Sequence, residues 1–331
     1  MTPRTLILLV APIAFAVVVL ASCAAAQKGG TGPTAPASSS HNGKIAFAGT
    51  DGRGQSHIFV MEPDGTGAKK LATKPALDNF PAWSADGKRL AFEASEGPND
   101  PNIDLYVVNA DGSGLERITK EPTPHDRYDS MLDRMPSWSP DGERIAFLRG
   151  RWKPFAKENV GGIYAIRADG TDLRQLTDSP WDEYPAWSPD GKTIAFDRLT
   201  EANGVIYTVS PDGDDVPRRL TEPPEGFWDS EPSWSPDGTK IAFTRTSGKR
   251  PNRPDVFTMN ADGTNTRKLT GKTEGAYSPD YSPDGKRIVF VGWEGGNKLA
   301  VMDADGTNVR RLTPDTKGIV DELAPDWQPL P

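Results

Sequence analysis

The chain has 331 residues, and its 33 Gly and 31 Pro make up about a fifth of it, against an ordinary share of about 12%. Long helices are excluded as the main element, because Gly and Pro interrupt helical runs. One Cys excludes an intramolecular disulfide framework and any multi-Cys zinc or iron–sulfur centre, three His leave little for a histidine-rich metal site, and a net charge of −8 argues against non-specific binding to nucleic acid or anionic lipid.

Arg4 opens a weakly basic start, and residues 6–21 form an uncharged apolar stretch. It is short for a membrane-spanning helix and right for the core of a signal peptide. The stretch ends in Leu20-Ala21-Ser22-Cys23, which resembles a bacterial lipobox. Residues 1–22 are therefore expected to be a lipoprotein signal peptide and Cys23 the lipid acceptor. The competing expectation is an uncleaved anchor, since the uncharged run extends from Thr5 to Gln27. Residues 23–42 are rich in Ala, Gly, Pro, Ser and Thr and bury too little apolar surface to offset ordering entropy, so they read as a flexible tether. Arg4 and Lys28 are the only charged groups before residue 43, and removing their +2 leaves −10 on residues 43–331.

From residue 43 onward one unit repeats. PAWSADG at 81–87 recurs as PSWSPDG at 136–142, PAWSPDG at 185–191, PSWSPDG at 232–238 and PDYSPDG at 279–285. The aromatic positions 83, 138, 187, 234, 281 and 327 lie 55, 49, 47, 47 and 46 residues apart. Each complete motif leads into a short apolar run such as Ile145-Ala146-Phe147. A variable loop, a second apolar run, an Asp-Gly turn and a last short run ending Leu-Thr follow. Asp-Gly between apolar runs is a hairpin signal, because Gly supplies positive φ without steric cost.

Four antiparallel strands per repeat are predicted, named A (PxW), B (IAF), C and D in order, with Pro at the first residue of strand A. One such sheet cannot cover both its faces, so radial stacking of the repeats is expected. The chain enters at strand B (Lys44-Ile45-Ala46-Phe47) and leaves with Pro325-Asp326-Trp327, a strand A. The predicted fold is all-β: a six-bladed propeller of four-stranded antiparallel blades, closed by the C-terminal strand pairing into blade 1.

The pattern PxWSPDGKxIAF…IYxMNADGTxxRxLT is similar to the WD-like propeller repeats of the TolB family, and it covers residues 43–331. The resemblance implies a propeller in the cell envelope without fixing one function. The sequence departs from TolB itself, in which an α/β domain precedes the propeller; here the tether runs directly into the first repeat. Similar repeats precede the catalytic domain of prolyl oligopeptidase-like enzymes, but no G-x-S-x-G nucleophile elbow occurs in residues 1–331, so a hydrolase domain is not expected here. Pectate-type lyases on such repeats use clustered histidines around a metal, and this chain has only His41, His57 and His125.

The A–B and C–D turns are short, whereas the B–C and D–A loops are long and variable and share the opposite face, where binding is expected. Tyr128, Trp152, Phe155, Trp181, Trp228 and Trp293 are candidate contacts there, or else fold back over the core. Three residues before each strand-A Pro stands an acid: Asp78, Asp133, Asp182, Asp229 and Glu322, with Ala276 breaking the series. These acids are expected to ring the channel mouth, as a site for a cation or basic peptide or as loop caps. Arg149, Arg198 and Arg245, two residues after the IAF triplets, are placed to pair with them.

Residues 303–308 superficially resemble a calcium loop but lack its twelfth-position Glu and flanking helices, so a turn is expected. The function expected is a lipid-anchored, non-enzymatic scaffold that binds an envelope protein or peptide. It is a monomer with no cofactor beyond a calcium ion at the mouth as an alternative. A propeller that binds or cleaves envelope glycan through its acids is the competing expectation.

Overall fold

The computed structural model describes residues 42–71, 77–97, 100–120, 130–152, 160–200, 202–248, 253–271, 275–292, 297–313 and 318–330. Every regular element among them is a β-strand. Repeat 1 holds β1 (Ile45–Asp51), β2 (Ser56–Met61) and β3 (Lys69–Lys70). Repeat 2 holds β4 (Leu77–Trp83), β5 (Arg89–Ser95), β6 (Asp104–Asn109) and β7 (Glu116–Arg117). Repeat 3 holds β8 (Ser130–Trp138), β9 (Arg144–Trp152), β10 (Val160–Arg167) and β11 (Arg174–Gln175). Repeat 4 holds β12 (Asp182–Trp187), β13 (Ile194–Leu199), β14 (Gly204–Val209) and β15 (Arg218–Arg219). Repeat 5 holds β16 (Phe227–Trp234), β17 (Lys240–Ser247), β18 (Pro254–Asn260) and β19 (Arg267–Lys268). Repeat 6 holds β20 (Tyr277–Tyr281), β21 (Arg287–Val291), β22 (Leu299–Asp303) and β23 (Arg310–Arg311), and β24 (Ile319–Trp327) follows.

Each repeat is an antiparallel meander. Parallel pairings link neighbouring repeats, Gly204 with Trp228 between repeats 4 and 5 and Ile103 with Leu132 between repeats 2 and 3. β24 pairs antiparallel with β1, setting Ile45 against Trp327 and Gly49 against Glu322. The C-terminal strand is thus strand A of repeat 1.

The IAF triplets explain the core. Phe47, Phe92, Phe147, Phe196, Phe243 and Phe290 have no exposed surface. Four of these rings stack on a strand-C aromatic, as Phe47 does on Phe59 at 5.5 Å and Phe243 on Phe257 at 5.7 Å. Burying one such side chain contributes roughly 1.5–3 kcal/mol. The described residues form six buried apolar clusters, each drawn from two successive repeats. One of them joins Ile45, Phe47 and Met61 of repeat 1 to Val289, Leu299 and Leu312 of repeat 6.

The strand-A prolines differ from the expectation. Pro81 lies inside β4, and its counterparts lie inside their strands too. The residue before each proline has positive φ: Phe80 (49°), Met135 (55°), Tyr184 (51°), Glu231 (55°), Ser278 (50°) and Ala324 (46°). In repeats 2 to 6 the A–B register shifts at this point. A bulge therefore interrupts the ladder where proline has no N–H to give, which is how proline is tolerated within a strand.

Candidate functional site

Two tiers of carboxylates line the inner strands. The outer tier is the periodic acid series. Asp78, Asp133, Asp182, Asp229 and Glu322 all have no exposed surface. Asp133 pairs in register with Arg149, Asp182 with Arg198 and Asp229 with Arg245. Each arginine donates from both Nε and Nη2, at 2.7 and 2.7 Å to Asp133, and at 2.5 and 2.7 Å to Asp182 and to Asp229. The three guanidinium groups also lie over the strand-B and strand-C rings, as Arg245 does over Phe257 at 4.9 Å.

Glu322 faces Gly49 and accepts the Leu299 amide at 3.0 Å and the Thr313 hydroxyl, with Lys298 Nζ 3.6 Å away. Asp78 faces Ala94. Burial raises the Asp229 carboxyl above its ordinary range even though Arg245 pulls it down. Asp229 and Glu322 also bind repeat to repeat, since the Thr221 hydroxyl beyond β15 of repeat 4 reaches Asp229 in repeat 5 and the Thr313 hydroxyl of repeat 6 reaches Glu322 on β24. With their oxygens taken by arginine, Asp133, Asp182 and Asp229 face their own sheets rather than an open mouth.

Among the candidate aromatics, Trp181 is 41% exposed. Trp228 folds over the junction of repeats 4 and 5; a Cβ on Gly248 would sit 2.3 Å from its ring. Trp152 ends β9. Trp293, Tyr128, Phe155 and the lipid-acceptor candidate Cys23 lie outside the described residues.

The inner tier escaped the sequence reading. The six strand-A segments surround one cavity of about 260 Å³. The positive-φ residues reach it, and Phe80 meets Tyr184 edge-to-face at 5.8 Å. Side chains of strand B hold the neighbouring bulges: Glu93 accepts the Met135 amide at 3.0 Å, Asp197 the Glu231 amide at 3.1 Å and Thr244 the Ser278 amide at 3.1 Å. Arg134 pairs with Glu93 at 3.2 Å. Glu231 is satisfied by the Thr244 hydroxyl at 2.6 Å and by the Ser278 amide and hydroxyl at 2.7 and 3.0 Å. Burial, and then the nearby Glu183, drive Asp197 well above the carboxylate range.

On the turn side of the prolines the middle residue of PxW faces the next repeat. It is Ala82, Ser137, Ala186 or Ser233 in four repeats, and Asp280 and Asp326 in the other two. Asp280 accepts the Ser233 hydroxyl and the Trp327 amide, both at 2.8 Å. Asp326 accepts the Trp83 amide at 2.6 Å. Burial pushes Asp280 up to about 6, and burial together with Asp280 drives Asp326 well above the usual range. The signal was in the sequence: PDY and PDW stand where the other repeats read PAW or PSW. Among the described residues no group of three or more His, Cys, Asp or Glu is arranged to hold a metal ion.

A family model described as the TolB beta propeller domain matches residues 20–223 and 214–329. An uncharacterized protein of Agrobacterium fabrum is 29% identical over 128 residues, 38% of this chain and 37% of that one. The Tol-Pal system protein TolB of Syntrophus aciditrophicus is 38% identical over 78 residues, 23% of this chain and 17% of its own. The chain thus spans well under half the length of these curated relatives. The crystal structure of TolB from Acinetobacter baumannii superposes with a TM-score of 0.69 at 22% identity, over 87% of this chain and 67% of that one. At that identity the likeness is one of fold. The match of the family model over both halves of the repeat region settles the family, and this chain belongs to the TolB beta propeller domain family.

Proposed function

We propose that residues 43–331 form a closed six-bladed propeller that acts as a non-enzymatic docking scaffold for a protein or peptide of the bacterial cell envelope. The observation that carries this reading is the junction of the two chain ends. β24 supplies strand A of repeat 1, and repeats 1 and 6 share one buried cluster. A ring closed in this way gathers its longer connections on one face of a rigid frame, the arrangement on which binding loops are usually carried. An envelope setting is supported by relatives that are Tol-Pal system proteins. In this reading residues 1–22 are removed, lipid on Cys23 holds the chain outside the cytoplasm, and the propeller works as a monomer without cofactor or nucleic acid.

Affinity capture from detergent-solubilised envelope tests the docking role, with recovery of a protein partner expected. Cleavage of an envelope glycan with no protein partner recovered would overturn it. Cys23→Ala tests the anchor and is expected to move the chain from the membrane to the soluble fraction.

A further inference from the structure

We infer that a pocket between repeats 4 and 5, on the side of the short A–B turns, takes an arginine side chain of a partner polypeptide, its guanidinium stacked on the Trp234 indole. The inference rests on the docking role proposed above only in that the ligand belongs to a polypeptide, and it places a contact away from the long loops.

The pocket has a volume of about 520 Å³, within the ~300–1,000 Å³ of ordinary ligand sites. Trp234, Leu220, Pro189 and Pro236 supply its apolar lining. Two SPDG turns meet at it: a Cβ on Gly238 of repeat 5 would stand 3.3 Å from the Pro189 ring of repeat 4.

The other repeats show what fills this place. The residue just before the strand-B triplet is a cation in five of them: Lys44, Arg89, Arg144, Lys240 and Arg287. In repeat 4 it is Thr193, and Thr193 lines the pocket. Arg89 lies over the Trp138 ring of the next repeat, 4.7 Å from its centroid, and donates from Nη2 to the Gly142 carbonyl at 3.4 Å. Arg287 lies over Trp327 at 5.8 Å. Both of these rings are buried. Arg144 is drawn to Asp172 instead, and Trp187 of the next repeat is only partly buried. Trp234, next to a threonine, is partly buried too. A threonine is too short to reach across an indole. The pocket thus offers Trp234 where the earlier junction has Trp138, and Gly238 where it has Gly142. The chain's own Arg89 is the template for the ligand.

Charge agrees with that template. Asp190 and Asp237 line the pocket against one cation, Arg218, whose Nη2 donates to the Asp262 carbonyl at 3.4 Å. The Ser188 hydroxyl and the Lys192 amide hold the Asp190 carboxyl below its ordinary range, and the Ser235 hydroxyl with the Thr239 amide and hydroxyl does the same for Asp237. Both acids are therefore charged at neutral pH. A guanidinium is attracted to the face of an indole and stacks on it through its plane, so arginine should bind more tightly than lysine. A neutral sugar would use the same ring with no call on the carboxylates, and is the rival occupant.

The test uses the full chain with fluorotryptophan at its nine tryptophan positions. The fluorine signal of Trp234 is identified by its loss in Trp234→Phe. A peptide of four glycines around one central arginine is titrated in, with citrulline in the same position as the neutral control and N-acetylglucosamine as the sugar. The Trp234 signal is expected to shift saturably with the arginine peptide, and the citrulline peptide to bind at least about fivefold more weakly. Thr193→Arg supplies the cation from within the chain. It is expected to move the Trp234 signal by itself, to raise the melting temperature and to abolish the response to the arginine peptide. A Trp234 signal unmoved by that peptide, equal binding of the two peptides, a response to the sugar alone, or a Thr193→Arg protein that still binds the peptide as tightly as the wild type would each overturn the inference. Capture of an envelope protein with a Trp234 signal indifferent to the arginine peptide overturns the arginine site and leaves the docking role standing. A saturable response to the arginine peptide with no envelope protein captured does the reverse.

Discussion

Arg245 and Asp229 face each other across β17 and β16 and are joined by two hydrogen bonds, 2.5 and 2.7 Å long, at a carboxylate with no exposed surface. Such a pair contributes little net stability over an apolar replacement, yet breaking it on one side strands a buried charge. Arg245→Met is therefore expected to lower stability by about 3–5 kcal/mol, read from urea denaturation. Pairing it with Asp229→Leu should recover most of that loss, because neither charge then remains. A double variant no better than Arg245→Met alone would show that the pair does more than cancel its own burial. Added calcium should leave the melting temperature of the wild type unchanged through this site, since the arginine already occupies the carboxylate.

The six positive-φ residues before proline give a second prediction. Ala324 has φ of 46°, a region that costs an ordinary L-residue roughly 1–2 kcal/mol. Ala324→Gly removes that strain but adds about 0.5–1 kcal/mol of chain entropy to be lost, so its effect should lie between zero and about 1 kcal/mol of stabilisation. Ala324→Val places a β-branched residue where such residues are outliers, and should destabilise by at least about 1 kcal/mol. Thermal melts of the two variants on the same day decide it, and a valine variant as stable as the wild type would mean that the bulge can relax.

Closure of the ring can be tested at Gly65. A Cβ there would stand 2.0 Å from the Leu312 carbonyl oxygen of repeat 6, at a φ of +90°. Gly54 has a similar φ of +77° and nothing within 4 Å. Gly54→Ala thus reports backbone strain alone, about 1 kcal/mol. Gly65→Ala reports the same strain plus the forced separation of the first and last repeats, and should cost at least about 2 kcal/mol more. Equal losses at the two positions would mean that repeats 1 and 6 do not need their close contact.

Much of this fold is legible because each repeat carries its own punctuation. The SPDG turns, the IAF triplets and the Leu-Thr ends each serve a local rule, so six copies vote for the same four strands. The Asp–Arg pairing was legible too, because Arg149, Arg198 and Arg245 occur only in repeats that carry the acid. The bulge was not. Phe80, Met135, Tyr184, Glu231, Ser278 and Ala324 share no chemistry, and none is the Gly that ordinarily announces positive φ. Their conformation is imposed by the neighbouring strands, through bonds such as Glu93 to the Met135 amide. The inner carboxylates escaped for a related reason: whether the middle residue of PxW meets solvent or its neighbour depends on how far apart adjacent strands A lie, and spacing along the chain does not report it.

Asp280 and Asp326 give the last prediction, a dependence of stability on pH. Burial lifts Asp280 from the ordinary 3.8 to about 6, and burial together with Asp280 lifts Asp326 well above its ordinary value. A carboxyl raised in this way binds its proton more tightly in the folded chain than in the unfolded one. Its contribution to stability is therefore fully present below about pH 4 and is lost as the pH rises through the folded value near 6. Glu231, which faces the same cavity, is raised by burial as well and acts in the same direction. Arg134, a cation of the same inner tier, is tied to Glu93. Asp326→Asn removes the carboxyl that burial and Asp280 together raise, and leaves Asp280 lifted by burial alone. At pH 7.5 the variant is expected to be more stable than the wild type by about 1–2 kcal/mol, a shift of a few degrees in melting temperature. At pH 4, where the pair is protonated in either case, the two proteins should melt together. Melting curves at half-unit steps between pH 4 and 8 would show the gap widening as the pH rises from 4. A constant gap across that range would mean that Asp326 keeps its ordinary value in the folded chain and that neither burial nor Asp280 acts on it.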